Sequence, residues 1–206
     1  MTMKLIHFPM TRSIRVAWAI YELGLDVEIE TRPFEREKLK EPEYLALNPV
    51  GKTPVFLEDG KPMLESVAII EYLSNKYADG RLSRGPKDSD YADYLQFMEF
   101  GEAGMGAYIG MLAGQTAILP KEQRIEAMKI WSQNETKNCL NFLEKHLTDR
   151  EYLLDEFSLA DISVGYALFL IKITRNGELM DDATKAYFER LTARDAWKKV
   201  SALEPA

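Results

Sequence analysis

Between Asn48 and Ser66 the chain reads NPVGKTPVFLEDGKPMLES, and two polar pairs in it fall where backbone groups are left over. Thr53-Pro54 stands directly before the apolar run Val55-Phe56-Leu57, and Glu65-Ser66 directly after Pro62-Met63-Leu64. Glu58-Asp59-Gly60-Lys61 separates the runs, and its Asp-Gly is a hairpin signal, so the runs read as two short strands. After Ser66, Val67, Ile70 and Leu73 recur at three-residue steps beside Ala68, Ile69 and Tyr72, which predicts a helix. A helix N-terminus carries orphan N–H groups and a partial positive charge, so Glu65 and Ser66 open a place that attracts a carboxylate. In a purely structural role Ser66 is an N-cap worth about 1 kcal/mol, and one residue can serve both helix and ligand.

The elements that position these pairs follow from the pattern. Lys4–Phe8 predicts a first strand, Pro9-Met10-Thr11-Arg12 a turn, and the next helix runs to about Leu23 before Gly24. That helix is apolar on more than one side, which predicts burial. Asp26–Thr31 alternates as a second strand, and a short helix is expected at Pro42–Leu47. Strand, helix, strand, hairpin and helix together make a mixed α/β domain. The stretch ADGRLSRGPKDSD is polar and rich in turn residues, a linker signature. Beyond it the pattern is helical: about Asp88–Leu112, Pro120–Leu147, a helix opened by Ser158, then Asp182–Leu191 and Ala193–Ala202. The expected division is 1–79, a linker at 80–87, and an all-α domain over 88–206.

Composition narrows the chemistry. A chain of 206 residues with 46% hydrophobic content can bury a sizeable core. Its net charge of -7, without a basic stripe, argues against nucleic acid or an anionic membrane as partner. No apolar run reaches the roughly 18 residues of a membrane span, and MTMKLIHFP is too short and polar for a secretory signal. Cys139 is the only cysteine and His7 and His146 the only histidines, so neither a disulfide framework nor a metal site is expected. The expectation is a cytoplasmic protein whose special chemistry comes from a ligand.

The chain resembles the cytosolic-type glutathione transferases. The resemblance rests on NPVGKTPVF, LESVAIIEYL, FSLADIS and RLTARDAW in that order, and it covers nearly the whole length. It implies a thioredoxin-like N-terminal domain, strand–helix–strand then strand–strand–helix, followed by an all-helical C-terminal domain. It also implies a homodimer, and glutathione as co-substrate without a metal. In thioredoxin-like folds the proline before the third strand is cis. A cis bond at Pro54 would turn the N–H and C=O of Thr53 outward to pair with the cysteinyl unit of glutathione, a small case of strand addition. Ser66 would bind the γ-glutamyl carboxylate, Glu65 would attract the γ-glutamyl amino group, and Lys52 would reach the glycyl carboxylate. Ser158 and Asp161 resemble a capping box and are assigned to folding.

Catalysis in this family needs a group that stabilises the glutathione thiolate. A thiol near pKa 8.5 lowered by about 2 units requires roughly 2.7 kcal/mol of preferential stabilisation. A hydroxyl and the N-terminus of the first helix supply it together. The tyrosine-type run would be Tyr-Phe-Pro, and here it is His7-Phe8-Pro9. Serine- and cysteine-type members carry the donor a few residues before an Arg-Val pair, here Arg15-Val16, which leaves Thr11 and Ser13 as hydroxyl candidates. Met10, one position earlier, cannot donate, and Ser13 is equally a cap for the first helix.

Phe100–Gly110 carries Gly101, Gly104, Gly106 and Gly110 inside a helix, where each costs about 1 kcal/mol relative to alanine. That predicts a kink or a close helix–helix approach. Met105, Tyr108 and Met111 are the candidates to line an apolar electrophile pocket. The expected activity is conjugation of glutathione to small apolar electrophiles. Glutathione-dependent isomerisation or dehalogenation, and a non-catalytic binding or regulatory role, are the alternatives.

Overall fold

The first strand alternates its side chains across a sheet, and that alternation organises the N-terminal unit. In the computed structural model, which describes residues 1–204, β1 (Met3–His7) lies parallel to β2 (Glu28–Thr31) and antiparallel to β3 (Val55–Glu58). β3 pairs antiparallel with β4 (Lys61–Met63), giving the order β2-β1-β3-β4. Ile6, with Phe8 just beyond the strand, packs against Leu39, Tyr44 and Val55. α1 (Ser13–Leu23) crosses from β1 to β2 and buries Ile14, Val16, Trp18, Ile20 and Leu23, each worth about 1.5–3 kcal/mol. Gly24 ends it at φ 63, a conformation that suits glycine. α2 (Pro42–Leu47) and α3 (Ser66–Tyr77) complete the thioredoxin-like strand–helix–strand, strand–strand–helix order.

The C-terminal helix belongs to this unit. α9 (Asp195–Ser201) packs Trp197 edge-on against Trp18 at 4.7 Å, and Arg194 pairs with Glu22 at 2.6 and 2.9 Å. The compact units are therefore 1–83 with 194–204, and 84–193, instead of a division at 80–87 with everything after it in one domain. Amphipathic periodicity predicts the helix but not the unit that receives its apolar face.

The second unit is helical, with α4 (Tyr91–Glu99), α5 (Met105–Ala113), α6 (Glu126–Leu147), α7 (Leu159–Ile173) and α8 (Asp182–Thr192). The single helix expected over Asp88–Leu112 is instead α4 and α5 joined by a π-helical turn at Phe100–Gly104. A Cβ at Gly101 would stand 2.4 Å from Ser163 Oγ on α7, so the close approach expected from the glycines occurs there. Pro120 leads into a short 3₁₀ turn, Lys121–Gln123, and α6 begins only at Glu126 because Arg124 and Ile125 are extended. α7 is buried from Leu159 through Leu168 and forms the core of the unit. Its first turn is the expected capping box: Ser158 Oγ accepts from Ala160 N, and Asp161 accepts from Ser158 N at 2.8 Å. Among the described residues no helix is long and apolar enough to cross a membrane.

Candidate functional site

The entry to β3 is held open by its neighbours. Tyr44 OH and Asn48 Nδ2 both donate to Lys52 O, at 2.6 and 2.7 Å. Burial pushes the Tyr44 phenol up to about 12, so it stays a neutral donor. Gly51 sits at φ 63 with Leu39 O only 2.6 Å from where a Cβ would stand, so no larger residue fits this bend. The next peptide, Thr53-Pro54, is cis. Thr53 N–H and C=O have no hydrogen-bond partner among the described residues. The Lys52 side chain is exposed.

The start of α3 is open as well. Ser66 is its first residue, and Glu65, in the cap position, makes no side-chain cap. Glu65 is exposed with φ 69, a region that costs a non-glycine residue about 1–3 kcal/mol. Ser66 therefore does not cap the helix: its buried hydroxyl accepts from Arg15 Nη1 at 3.2 Å. Arg15 is fully buried, so α1 brings a cation beneath the α3 N-terminus. Uncapped N–H groups, a hydroxyl and a fixed positive charge make a carboxylate site.

The turn after β1 is built the other way, with its polar groups already spent. Ser13 Oγ accepts from Phe8 N at 3.0 Å, lies 2.9 Å from both Phe8 O and His7 Nδ1, and 3.0 Å from Thr11 Oγ1. It neither caps α1, whose cap position is Arg12, nor reaches solvent. Burial thus removes Ser13 as a direct sulfur donor and leaves it as a brace for the strand end. Thr11 is half-buried, and its hydroxyl donates to Phe8 O at 2.8 Å. Glu204 closes the group from the far end of the chain. Its Oε2 accepts from Met10 N at 2.5 Å, and its Oε1 lies 3.1 Å from His7 Nε2.

Of the sequence candidates, Thr53, Pro54, Glu65 and Ser66 stand on adjacent elements of one sheet unit, and Thr11 and Ser13 share one network within it. Arg15, Asn48, Tyr44 and Glu204 carry weight that the sequence reading did not assign. No local sequence pattern marks Arg15 or Asn48 for these roles, because their partners lie on other elements or across a bend. The pocket candidates lie in the second unit. Met105 is 0% exposed, so it belongs to that unit's core and does not line an open cavity. Tyr108, with its ring 5.5 Å from Trp131, and Met111 are half-buried. Among the described residues no group of three or more His, Cys, Asp and Glu side chains could hold a metal ion.

The chain is similar to known proteins over most of its length. Residues 1–75 match the model of the glutathione S-transferase N-terminal domain. Glutathione S-transferase 1 of Schizosaccharomyces pombe is 32% identical over 203 residues, covering 89% of this chain and 88% of the relative. The crystal structure of glutathione transferase URE2P6 from Phanerochaete chrysosporium, in complex with oxidized glutathione, superposes with a TM-score of 0.83 at 28% identity, covering 98% of this chain and 95% of that one. A glutathione transferase from Burkholderia graminis with two glutathione molecules bound per subunit gives 0.81 at 27% identity, covering 97% and 87%.

Proposed function

Because the chain belongs to the glutathione S-transferase family of enzymes, we propose that it binds glutathione along the β3 entry and the α3 N-terminus and conjugates it to small apolar electrophiles. The observation that carries the reading is the α3 N-terminus: it has no side-chain cap, and Ser66 there is held by a buried arginine. The γ-glutamyl carboxylate takes the α3 N–H groups and the Ser66 hydroxyl, and Glu65 attracts the γ-glutamyl amino group. Thr53 N–H and C=O pair with the cysteinyl unit, and Lys52 reaches the glycyl carboxylate. That pairing directs the sulfur to the β1–α1 turn, where Thr11 and the helix N-terminus favour the thiolate. The thiolate attacks the electrophilic carbon, a C–S bond forms, and the leaving group departs with its electron pair. Tyr108 and Met111 are the proposed contacts of the apolar substrate. The protein acts as a cytoplasmic homodimer in the removal of reactive compounds.

A second reading, glutathione binding without catalysis, is favoured by one observation: both hydroxyls of the turn bond inside the protein. Titration with glutathione, followed at the thiolate absorbance band, separates the two. Conjugation requires bound glutathione with a thiol pKa below its free value. Binding with an unshifted thiol would leave the second reading standing.

A further inference from the structure

We propose that Glu204 restrains ionisation of the bound thiol by occupying the turn that would receive the thiolate. The inference rests on the glutathione reading and concerns how its reactive end is controlled. An anion is already seated at this turn, since Met10 N–H donates to Glu204 Oε2 at 2.5 Å. The contact spans nearly the whole chain and is delivered by an anchored segment. α9 is fixed by Trp197 on Trp18, and the chain then turns with Leu203 N on Val200 O and Glu204 N on Ser201 O. The Glu204 side chain is 13% exposed and His7 is fully buried, so the carboxylate is tucked in at the surface.

The second carboxylate oxygen faces a buried histidine. Glu204 Oε1 lies 3.1 Å from His7 Nε2, and the other ring nitrogen, Nδ1, lies 2.9 Å from Ser13 Oγ. Ser13 Oγ in turn accepts from Phe8 N at 3.0 Å and lies 2.9 Å from Phe8 O. The Thr11 proton is left with two acceptors inside the protein, Phe8 O at 2.8 Å and Ser13 Oγ at 3.0 Å. One carboxylate therefore takes an N–H of the turn and ends a chain of polar contacts that runs through His7 and Ser13 to Thr11. Its own negative charge opposes a second anion beside it. Both effects act in the same direction.

The test uses the full chain with Glu204→Ala and Glu204→Gln. The thiolate-to-thiol ratio of bound glutathione is read by ultraviolet difference absorbance at pH 7 with glutathione saturating. Calorimetry with S-methylglutathione, which has no ionisable sulfur, reports on the rest of the pocket. Glu204→Ala should raise the ratio roughly tenfold, the scale of one freed hydrogen bond to a charged group. Glu204→Gln should raise it less, because its amide oxygen still accepts from Met10 while the charge is gone. S-methylglutathione should bind all three proteins equally. An unchanged or lower ratio in Glu204→Ala, with S-methylglutathione binding intact, overturns this inference and leaves the glutathione reading in place. Failure of all three proteins to bind either ligand overturns the glutathione reading and this inference with it.

Discussion

Two helix N-termini in this chain begin from similar sequence signals and end in opposite states. α7 opens with Ser158 and Asp161, and its first turn is closed: Asp161 accepts from Ser158 N, Leu153 N at 3.0 Å and Tyr187 OH at 2.8 Å. Burial raises the pKa of that carboxyl although these bonds pull it down, a cost tolerated to tie three segments together. α3 opens with Glu65 and Ser66, and no side chain caps it. Instead a buried arginine holds the serine, and Glu65 adopts a conformation that folding alone does not favour. Donors consumed by the chain make structure, and donors the chain leaves unspent make a site. The same contrast recurs within the first unit, between the open Thr53 and the internally satisfied Thr11 and Ser13.

The closed turn of α7 should respond most strongly to substitution. Asp161→Ala should cost about 3 kcal/mol of stability, because two buried backbone N–H groups and the Tyr187 hydroxyl lose their acceptor. Denaturant unfolding measures it, and reduced activity at unchanged stability would mean that α7 also serves the chemistry. Ser66→Ala should act mainly on the ligand, weakening glutathione by about 1–3 kcal/mol with a smaller loss of stability. Isothermal titration beside a melting curve checks both. Thr11→Val keeps the shape and removes the hydroxyl, so glutathione should still bind while the bound thiol's pKa rises by about one unit. A ratio of thiolate to thiol unmoved by this change would transfer sulfur activation to the backbone N–H groups of the turn.

The smallest effect concerns how α3 is held without a cap. Glu58 on β3 accepts from Tyr72 OH at 2.6 Å and Lys76 Nζ at 2.9 Å, and these bonds hold its pKa below the ordinary carboxylate value. A carboxylate depressed in the folded state stabilises above its unfolded pKa, and loses that contribution as pH falls through the folded value. Glu58→Gln should therefore lower the melting temperature slightly at pH 7 and leave it unchanged at strongly acid pH. An equal difference at both would assign the effect to packing.

Local patterns made much of this readable. The Asp-Gly turn, the strand alternation, the period of α3 and the α7 capping box all depend on residues within a few positions of each other. What the pattern could not carry was partner choice over distance. Glu204 meets His7 and Met10 only because α9 docks on α1, and nothing near either end of the chain signals it. Ser13 looked equally fit to cap a helix or donate to sulfur, and its hydroxyl instead follows the strand end of Phe8 and His7. Met105 and Met111 lie six positions apart on α5, and only Met111 retains exposure, because residue type and spacing do not say how far around the helix the core extends.

The α3 N-terminus is the proposed seat of the γ-glutamyl carboxylate. Calorimetric titration of the wild-type protein with glutathione and with cysteinylglycine, which lacks the γ-glutamyl unit, tests that claim most directly. Loss of a charge-assisted contact at an uncapped helix end should weaken cysteinylglycine by at least about tenfold, and Ser66→Ala should narrow the gap. Equal affinities for the two peptides in the wild-type protein would contradict it.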